Sequence, residues 1–93
     1  MTEGDICKLI FEGEYLNGQR NGKGKEYDEE GELIFDGEYL NDKRNGKGKE
    51  YKYSMLLFEG EYLNGKRHGK GKEFNAEGEL ILECEYFNGK KIQ

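Results

Sequence analysis

The sequence predicts an all-β fold, an antiparallel meander of about seven strands, and three observations support this prediction. A 17-residue stretch beginning at Phe11 returns at Phe35 and at Phe58, with 12 of its 17 positions identical in the three copies. Apolar and polar residues alternate along each copy, which is the period of a β-strand. Each copy also contains an Asn-Gly step, a strong signal for a hairpin. Because a fixed period of 23–24 residues indicates a repeat architecture, this interpretation takes precedence over local propensities.

The first copy predicts two strands joined by a turn. Strand-like alternation begins at Lys8 and continues to about residue 16. Residues 17–22 hold two Asn-Gly steps, and because both residue types tolerate positive φ, this segment is predicted to be the hairpin turn. The return strand follows over about 23–28, and residues 28–31 are predicted to form a second turn at the opposite edge of the sheet.

The remaining strands follow from the same pattern and are predicted at about 32–40, 47–52, 55–63, 70–75 and 79–87. In the second copy the connector is one residue shorter and lacks glycine, so the turn at Tyr53 and Ser54 is expected to differ from the others.

The whole chain, 1–93, is predicted to be one repeat domain. It comprises a short lead-in at 1–7, repeats at about 11–34, 35–57 and 58–81, and a partial copy at 82–93 that lacks its return strand.

Composition narrows the classes of function. Hydrophobic residues make up 33% and charged residues 38%, which alone favours disorder, but the fixed spacing of the aromatic residues argues against it. The net charge of −5 disfavours nucleic acid as a partner. Neither a membrane-spanning helix nor a secretory signal is expected from the apolar segments. Cys7 and Cys84 lie near opposite ends of the array and are expected to be free thiols, which predicts a cytoplasmic protein.

The alternation assigns the residues to two faces of the sheet. A turn centred at residues 19–20 would place Tyr15 opposite Gly24 and Glu14 opposite Lys25. One face then carries aromatic residues and glycines, and the rings are expected to cover the glycines and stack from copy to copy. The other face carries ladders of Glu or Asp against Lys. Beside these ladders lies a thin apolar row formed by Leu16, Leu40, Leu63 and Phe87. Because a single sheet has one layer, either its rings cover each other or a partner covers them.

The repeated unit, GEYLNGxRxGKGKEY, resembles the MORN repeat, the membrane occupation and recognition nexus motif. The matching residues are Gly13, Tyr15, Gly18, Gly22 and Gly24, then Gly37, Tyr39, Gly46 and Gly48, then Gly60, Tyr62, Gly65, Gly69 and Gly71, and finally Tyr86 and Gly89. Asp42 and Cys84 replace two of the glycines. The resemblance covers about 11–90 and implies an elongated, twisted single-layer sheet with one hairpin per repeat. It also implies an interaction or scaffolding module, often near membranes or the cytoskeleton.

No pattern in the sequence predicts catalysis. His68 stands at a predicted turn tip where the other copies have Asn21 and Asn45, and neither cysteine has an adjacent base. The acidic residues are spread along the ladders without a metal-ligating group, and the Gly-Lys run at 22–25 lacks the helix that a phosphate-binding loop needs. We therefore expect no enzymatic activity, no cofactor and no metal.

The aromatic face is predicted to be a groove that binds a protein partner, and the alternative is that its rings only pack on one another. The residues of this predicted groove are Phe11, Tyr15, Phe35, Tyr39, Phe58, Tyr62, Leu82 and Tyr86. The predicted function is accordingly a non-enzymatic module for protein–protein interaction or scaffolding.

Basic residues near the predicted turn tips support a second hypothesis, a peripheral module that binds anionic lipid headgroups such as phosphoinositides. These residues are Arg20, Lys43, Arg44, Lys66 and Arg67. Solvated turn charges are the plainer alternative.

The last strand, 79–87, is expected to leave an unpaired edge, which predicts a homodimer through that strand or through the aromatic face. The alternative is that the chain is part of a longer array. The expected location is the cytoplasm, with a membrane or the cytoskeleton as candidate sites.

Overall fold

The computed structural model describes residues 8–92, so the predicted lead-in at 1–7, with Cys7, and the terminal Gln93 lie outside the described residues. The described residues form one open antiparallel sheet of eight strands in chain order, without a helix. The strands are β1 (Phe11–Leu16), β2 (Gln19–Tyr27), β3 (Leu33–Leu40), β4 (Lys43–Lys52), β5 (Met55–Leu63), β6 (Lys66–Phe74), β7 (Leu80–Phe87) and β8 (Lys90–Ile92).

The predicted all-β meander is confirmed, with one strand more than expected. The fourth copy was predicted to lack a return strand, and this was wrong, because β8 pairs with the end of β7 from Glu85 to Phe87. The chain extends over 54 × 35 × 17 Å, the proportions of an elongated single layer.

The hairpin turns are shorter than the sequence predicted. Asn17 and Gly18 alone form the first turn, with φ of 52° and 80°, and β2 begins directly after them. Two residues with positive φ make the turn whose twist matches that of the flanking strands. The prediction of a turn over 17–22 centred at residues 19–20 was therefore wrong, and Arg20 lies within β2.

The residues that were predicted to lie in the turn, but belong to β2, form an irregularity in the strand pairing. Tyr15 pairs with Arg20, and the register then shifts so that Gly13 pairs with Gly24. Three residues on β2 thus face one residue on β1. The same shift recurs in the next two hairpins. Tyr15 consequently lies opposite Arg20 rather than Gly24, and Lys25 lies opposite Glu12 rather than the predicted Glu14.

The connections between repeats agree with the sequence-based prediction more closely than the hairpin turns do. Asp28 Oδ1 accepts hydrogen bonds from the backbone N–H groups of Glu30 and Glu32, each at 2.9 Å, which holds the predicted turn at 28–31. The turn after β4 differs, as predicted, because it consists of Tyr53 and Ser54 alone, with φ of 54° and 64°.

One face of the sheet is closed by its own aromatic rings. Phe35 makes edge-to-face contacts with Tyr39 of its own copy, at 5.6 Å between centroids, and with Tyr62 of the next copy, at 5.1 Å. Phe58 repeats this arrangement one copy further along. The five buried core residues are Phe35, Tyr39, Phe58, Tyr62 and Tyr86, each at most 5% exposed. Of the two alternatives for covering this face, the mutual covering of the rings is therefore the one observed.

The glycines make room for these rings, as predicted. A Cβ on Gly71 would lie 2.5 Å from the ring of Phe58 and 2.9 Å from that of Tyr86. The fourth copy breaks the pattern at two positions together, since Leu82 replaces the phenylalanine and Cys84 replaces the glycine. A leucine side chain does not reach as far as a phenylalanine ring, so the half-buried Cys84 side chain can be accommodated.

Candidate interaction surfaces

Arginines that were predicted at the turn tips lie over the aromatic face. The guanidinium carbon of Arg44 stands 4.1 Å from the ring centroid of Phe35, and that of Arg67 stands 3.8 Å from Phe58. These are cation–π distances. The shift of the turn to residues 17–18 explains the difference, because it moves the arginine of each copy from the loop into the strand, on the side of the rings.

Each of these arginines also binds a glutamate from the preceding copy. Glu26 accepts a hydrogen bond from the Tyr39 hydroxyl at 2.5 Å and another from Arg44 Nε at 2.9 Å. Glu50 accepts the equivalent hydrogen bonds from Tyr62 and Arg67. These glutamates were not predicted, although the alternation in KGKEY places each of them on the same face as the preceding glycine.

Burial and hydrogen bonding shift the pKa values of these groups. Burial alone would raise the pKa of Glu26, but hydrogen bonds from Arg44 and Tyr39 hold it below its ordinary value, and the same balance lowers the pKa of Glu50. Burial, together with the hydrogen bond to the carboxylate, raises the pKa of Tyr39 and of Tyr62. The glutamates therefore stay charged and the tyrosines stay neutral over a wide pH range, which links successive copies.

The five core rings of the predicted groove are enclosed by their neighbours and by the arginines, as in the alternative in which the rings pack on one another. Of the other residues predicted for this groove, Tyr15 is 59% exposed, whereas Phe11 and Leu82 are half-buried. Tyr15 is exposed because no phenylalanine from a preceding copy is seen packing on it among the described residues. That this face binds a partner stays a prediction.

An open groove lies on the opposite face of the sheet. It has a volume of about 760 Å³ and crosses β3 to β7. Its floor follows the glycines of the strands, and its sides carry lysines and carboxylates. We call this side the groove face.

The predicted charge ladders line this groove face. One ladder crosses the sheet in register through Glu12, Lys25, Asp36, Lys49, Glu59, Lys72 and Glu83. The second ladder includes Lys47, which lies opposite Glu61. Within residues 8–92, the ion pairs shorter than 4.0 Å involve no member of these ladders. Acids thus lie against lysines, as predicted, but the opposite charges are not joined in ion pairs among these residues. The carboxylates of Glu14, Glu38 and Glu61 instead accept hydrogen bonds from the backbone N–H groups of Lys23, Lys47 and Lys70.

A row of exposed apolar side chains borders the groove face beside the hairpin turns. We call it the turn rim, and its members are Leu16 (58% exposed), Leu40 (48%), Leu63 (43%) and Phe87 (56%). Across the turns, Leu40 pairs with Lys43, Leu63 with Lys66 and Phe87 with Lys90, whereas Leu16 pairs with Gln19. In three of the four copies, the rim residue therefore lies opposite a lysine of the same hairpin.

His68 packs against the turn rim. Its ring lies 5.0 Å from that of Phe87, and its Nδ1 accepts a hydrogen bond from the backbone N–H of Asn88 at 3.3 Å. Asn45 accepts the equivalent hydrogen bond from Asn64, also at 3.3 Å. His68 thus replaces an asparagine acceptor between neighbouring turns.

The outer edge of β7 is only partly paired. β8 covers Glu85 to Phe87, and no other strand within residues 8–92 pairs with the outer side of 80–84. The predicted homodimer through this strand stays a prediction.

Over the same residues, no three His, Cys, Asp or Glu side chains are grouped so that they could hold a metal ion. No helix long and apolar enough to cross a membrane occurs in that part of the chain.

Comparison with known protein families gives a match to the MORN repeat at residues 11–32, 35–54 and 58–79, about two thirds of the chain. These three segments coincide with the first three hairpins and the connections that follow them. No curated protein matches the chain.

Proposed function

Because the chain belongs to the MORN repeat family, we propose that it is a non-enzymatic protein-interaction module that holds a partner on the groove face of its sheet. MORN repeats are generally involved in protein–protein or membrane interactions, and the family is one of non-enzymatic repeat modules. The groove itself is the observation that carries this proposal. It is open, about 760 Å³ in volume, and its charged side chains form no ion pairs with one another among residues 8–92.

The contrast between the faces favours the groove face over the aromatic face as the partner-binding surface. A partner that docked on the aromatic face would have to displace Arg44 and Arg67, which cover the rings and bind Glu26 and Glu50. Charged pairs that are partly buried are costly to break. On the groove face, a partner would meet charged side chains that form no ion pairs with one another within residues 8–92. The predicted aromatic residues then act on the partner indirectly, because they hold the repeats in a fixed arrangement.

Site-specific photo-crosslinking in the native cell tests this proposal. A photoreactive amino acid is introduced at Lys49 in the groove and, as a control, at Tyr53, which is 71% exposed but lies outside the groove. We expect Lys49 to give a discrete protein adduct that Tyr53 does not give. Equal labelling from both positions, or no protein adduct from Lys49, would overturn the proposal.

A second candidate function is binding to an anionic lipid surface through the turn tips, and Lys43 and Lys66 favour it. Both are exposed beside apolar side chains, and neither makes an ion pair among the described residues. Each cation near such a surface contributes about 1 kcal/mol. Arg44 and Arg67 contribute less than the sequence suggested, because both are engaged with glutamates.

Co-sedimentation with vesicles that contain phosphatidylserine tests this second function. Binding that falls steeply with salt and is lost in the Lys43→Gln/Lys66→Gln variant would support it. Lys52→Gln is the matched control, because Lys52 lies at the end of β4 that is remote from Lys43. Vesicle binding that is absent, or equal in all three proteins, excludes the function.

The proposal includes a cytoplasmic location, at a membrane or the cytoskeleton, and self-association through the open part of β7. Light scattering at high protein concentration tests the self-association. A monomeric mass over the whole concentration range would remove this part of the proposal and leave the groove unaffected.

A further inference from the structure

The first copy presents the same three side chains on the aromatic face as the interior copies do. Phe11 and Tyr15 meet edge to face at 5.5 Å between ring centroids, and the next two copies show this contact at 5.6 and 5.9 Å. The guanidinium carbon of Arg20 lies 4.2 Å from the ring centroid of Phe11, close to the 4.1 and 3.8 Å of the later arginines. Tyr15 is nevertheless 59% exposed, whereas the equivalent tyrosines are at most 5% exposed. The first copy therefore has the arrangement of an interior copy without its burial.

In the later copies, the return strand of the preceding copy covers the tyrosine. A Cβ on Gly24 would lie 3.1 Å from the ring of Tyr39, so the ring lies over that glycine. Two residues further along, Glu26 accepts hydrogen bonds from the Tyr39 hydroxyl and from Arg44 Nε. The next copy repeats both contacts. Within residues 8–92, Arg20 forms no ion pair of this kind.

The outer edge of β1 defines the strand that would cover Tyr15. No strand within residues 8–92 pairs with this edge. On β3, Gly37 pairs with a glycine of the preceding strand, the two acids that flank it pair with lysines, and Phe35 pairs with a glutamate. The register on β5 is the same. β1 carries the same pattern of an aromatic residue, an acid, a glycine and an acid, at Phe11, Glu12, Gly13 and Glu14.

We propose that the outer edge of β1 binds an extended segment of a partner protein in which a glycine lies between two basic residues and a glutamate follows. The segment adds an antiparallel strand to the sheet. Its glycine lies under the ring of Tyr15, its basic residues face Glu12 and Glu14, and its glutamate accepts hydrogen bonds from the Tyr15 hydroxyl and the Arg20 guanidinium. This site is separate from the groove of the proposed function, which begins at Asp36 on β3.

The opposite edge of the sheet is not suited to the same segment. On β5, a Cβ added to Gly60 would lie 2.8 Å from Cα of Gly71 in the return strand. Cys84 carries such a Cβ at the equivalent position of β7, so a strand in this register would collide with it. The tyrosine hydroxyl of this strand, that of Tyr86, already donates to Glu73. The segment is therefore specific for β1.

Two other occupants fit the β1 edge less well. A second copy that pairs its own β1 here about a two-fold axis would bring the acids of the two strands together, where like charges repel. It would also bring no carboxylate to Arg20, because the glutamates of its return strands are bound within their own chain. These are Glu26, Glu50 and Glu73. A small carboxylate could reach Arg20 but would leave the backbone N–H and C=O groups along β1 unused.

Fluorescence anisotropy with labelled peptides tests the proposal on the full chain. The first peptide has the sequence of residues 20–29, RNGKGKEYDE, which supplies the required pattern. The second peptide carries the change Glu26→Gln, and the third carries Gly24→Val. We expect the first peptide to bind at least about tenfold more tightly than either of the others, because they lose the charged hydrogen bonds or the room for the tyrosine ring.

Matched variants of the protein locate the carboxylate. Tyr15→Phe/Arg20→Met should bind the first peptide no more tightly than the glutamine peptide, because both groups that recognise the carboxylate are removed. Ile81→Gln, at a side chain of β7 that is 59% exposed, should bind like the unmodified protein. Circular dichroism confirms that the variants are folded. If the double variant is not folded, Tyr15→Phe alone should still reduce the preference for glutamate at least about threefold.

Hydrogen exchange locates the edge. The backbone amides of β1 should exchange more slowly when the first peptide is bound, whereas those of 80–84 should be unchanged. Slower exchange at 80–84 instead of β1 would assign the peptide to the other edge and overturn the proposal.

Three further outcomes would overturn the proposal. The glutamate and glutamine peptides would bind equally, or the double variant would keep the preference for glutamate. Sedimentation equilibrium would show a dimer that the double variant loses, which would assign the edge to a second copy. The peptide would bind only to the Glu3→Gln/Asp5→Asn variant, which would assign the site to the chain's own first residues. The Lys49 crosslink tests the groove independently of all these results.

Discussion

The aromatic face and the groove face come from alternate residues of the same strands, yet the four ion pairs found within residues 8–92 all lie on the aromatic face. That face also contains all five buried core residues. The groove face carries long rows of acids and lysines that form no ion pairs with one another among the described residues. Charged residues thus stabilise the fold where rings desolvate them and remain available where they face solvent. Four predictions test this difference, from the largest expected effect to the smallest.

Removing a core ring should have the largest effect. Phe58→Ala should lower the free energy of unfolding by about 4 kcal/mol, because Phe58 is fully buried between Tyr62 and Tyr86. Leu82→Ala, at the equivalent but half-buried position of the fourth copy, should cost about 1–2 kcal/mol. Urea denaturation measures both values. Equal losses would show that the interior rings are not more enclosed than the terminal copy.

Adding a methyl group to the glycine row should be nearly as damaging. A Cβ on Gly60 would lie 2.6 Å from the carbonyl oxygen of Lys70 and 2.8 Å from Cα of Gly71, which are backbone atoms that cannot rotate away. Gly60→Ala should therefore cost about 3 kcal/mol. Cys84→Ala is the control, since a side chain is already accommodated there, and it should cost less than about 1 kcal/mol. A neutral Gly60→Ala would mean that the strands are further apart than described here.

The tyrosine–glutamate links should appear in the alkaline pH dependence. The pKa of Tyr62 is raised above its ordinary value of 10.0, so the unfolded chain loses this proton at lower pH than the folded chain. The stabilising contribution is therefore complete below pH 10.0 and falls as the pH rises beyond it. Tyr62→Phe should cost about 2 kcal/mol at pH 7 and make the decline above pH 10.0 shallower.

Tyr15→Phe is the control for this prediction, because that ring is 59% exposed. Its stability should change by less than about 0.5 kcal/mol at neutral pH. Thermal unfolding at pH values from 7 to 11 measures both effects. An unchanged alkaline slope in Tyr62→Phe would argue against the hydrogen bond to Glu50.

The smallest loss of stability is expected when a cation is removed, and it should depend on the face that carries the cation. Arg67→Met removes a cation–π contact and the hydrogen bonds to Glu50, and should cost about 1–2 kcal/mol. Lys49→Met, in the ladder of the groove face, should change stability by less than about 0.5 kcal/mol. Chemical denaturation in low and high salt distinguishes the two. A larger loss for Lys49→Met would mean that the ladders hold the fold together.

The hairpin meander could be predicted from the sequence because its signals are local and repeated. The stretch that begins at Phe11 occurs three times, and the alternation that places Phe11 and Gly24 on the same face was enough to predict rings that cover glycines. Which Asn-Gly step forms the turn could not be decided in this way. A two-residue turn at Asn17 and Gly18 with a register shift leaves the same alternation as a longer loop.

Other features depend on the length of the turns and on the packing of the rings, which the alternation of residues does not specify. The arginines were assigned to the tips because the turn was taken as too long, so their place over Phe35 and Phe58 was missed. A partner-binding groove was predicted on the aromatic face, and this stays a prediction. The structure has an open groove on the other face, whereas the rings fill the space on the aromatic face. The apolar row at Leu40 and Leu63 could be predicted, but its exposure could not.

The aromatic face is closed within a single chain, and this closure decides which surface a partner can reach. Solvent paramagnetic relaxation of ring protons, measured by NMR at a concentration where the protein is monomeric, tests it most directly. The rings of Phe35 and Phe58, both 0% exposed, should be relaxed several-fold less by a soluble paramagnetic agent than that of Tyr15, which is 59% exposed. Relaxation of Phe35 and Phe58 as strong as that of Tyr15 would contradict the claim and would make the aromatic face the surface available to a partner.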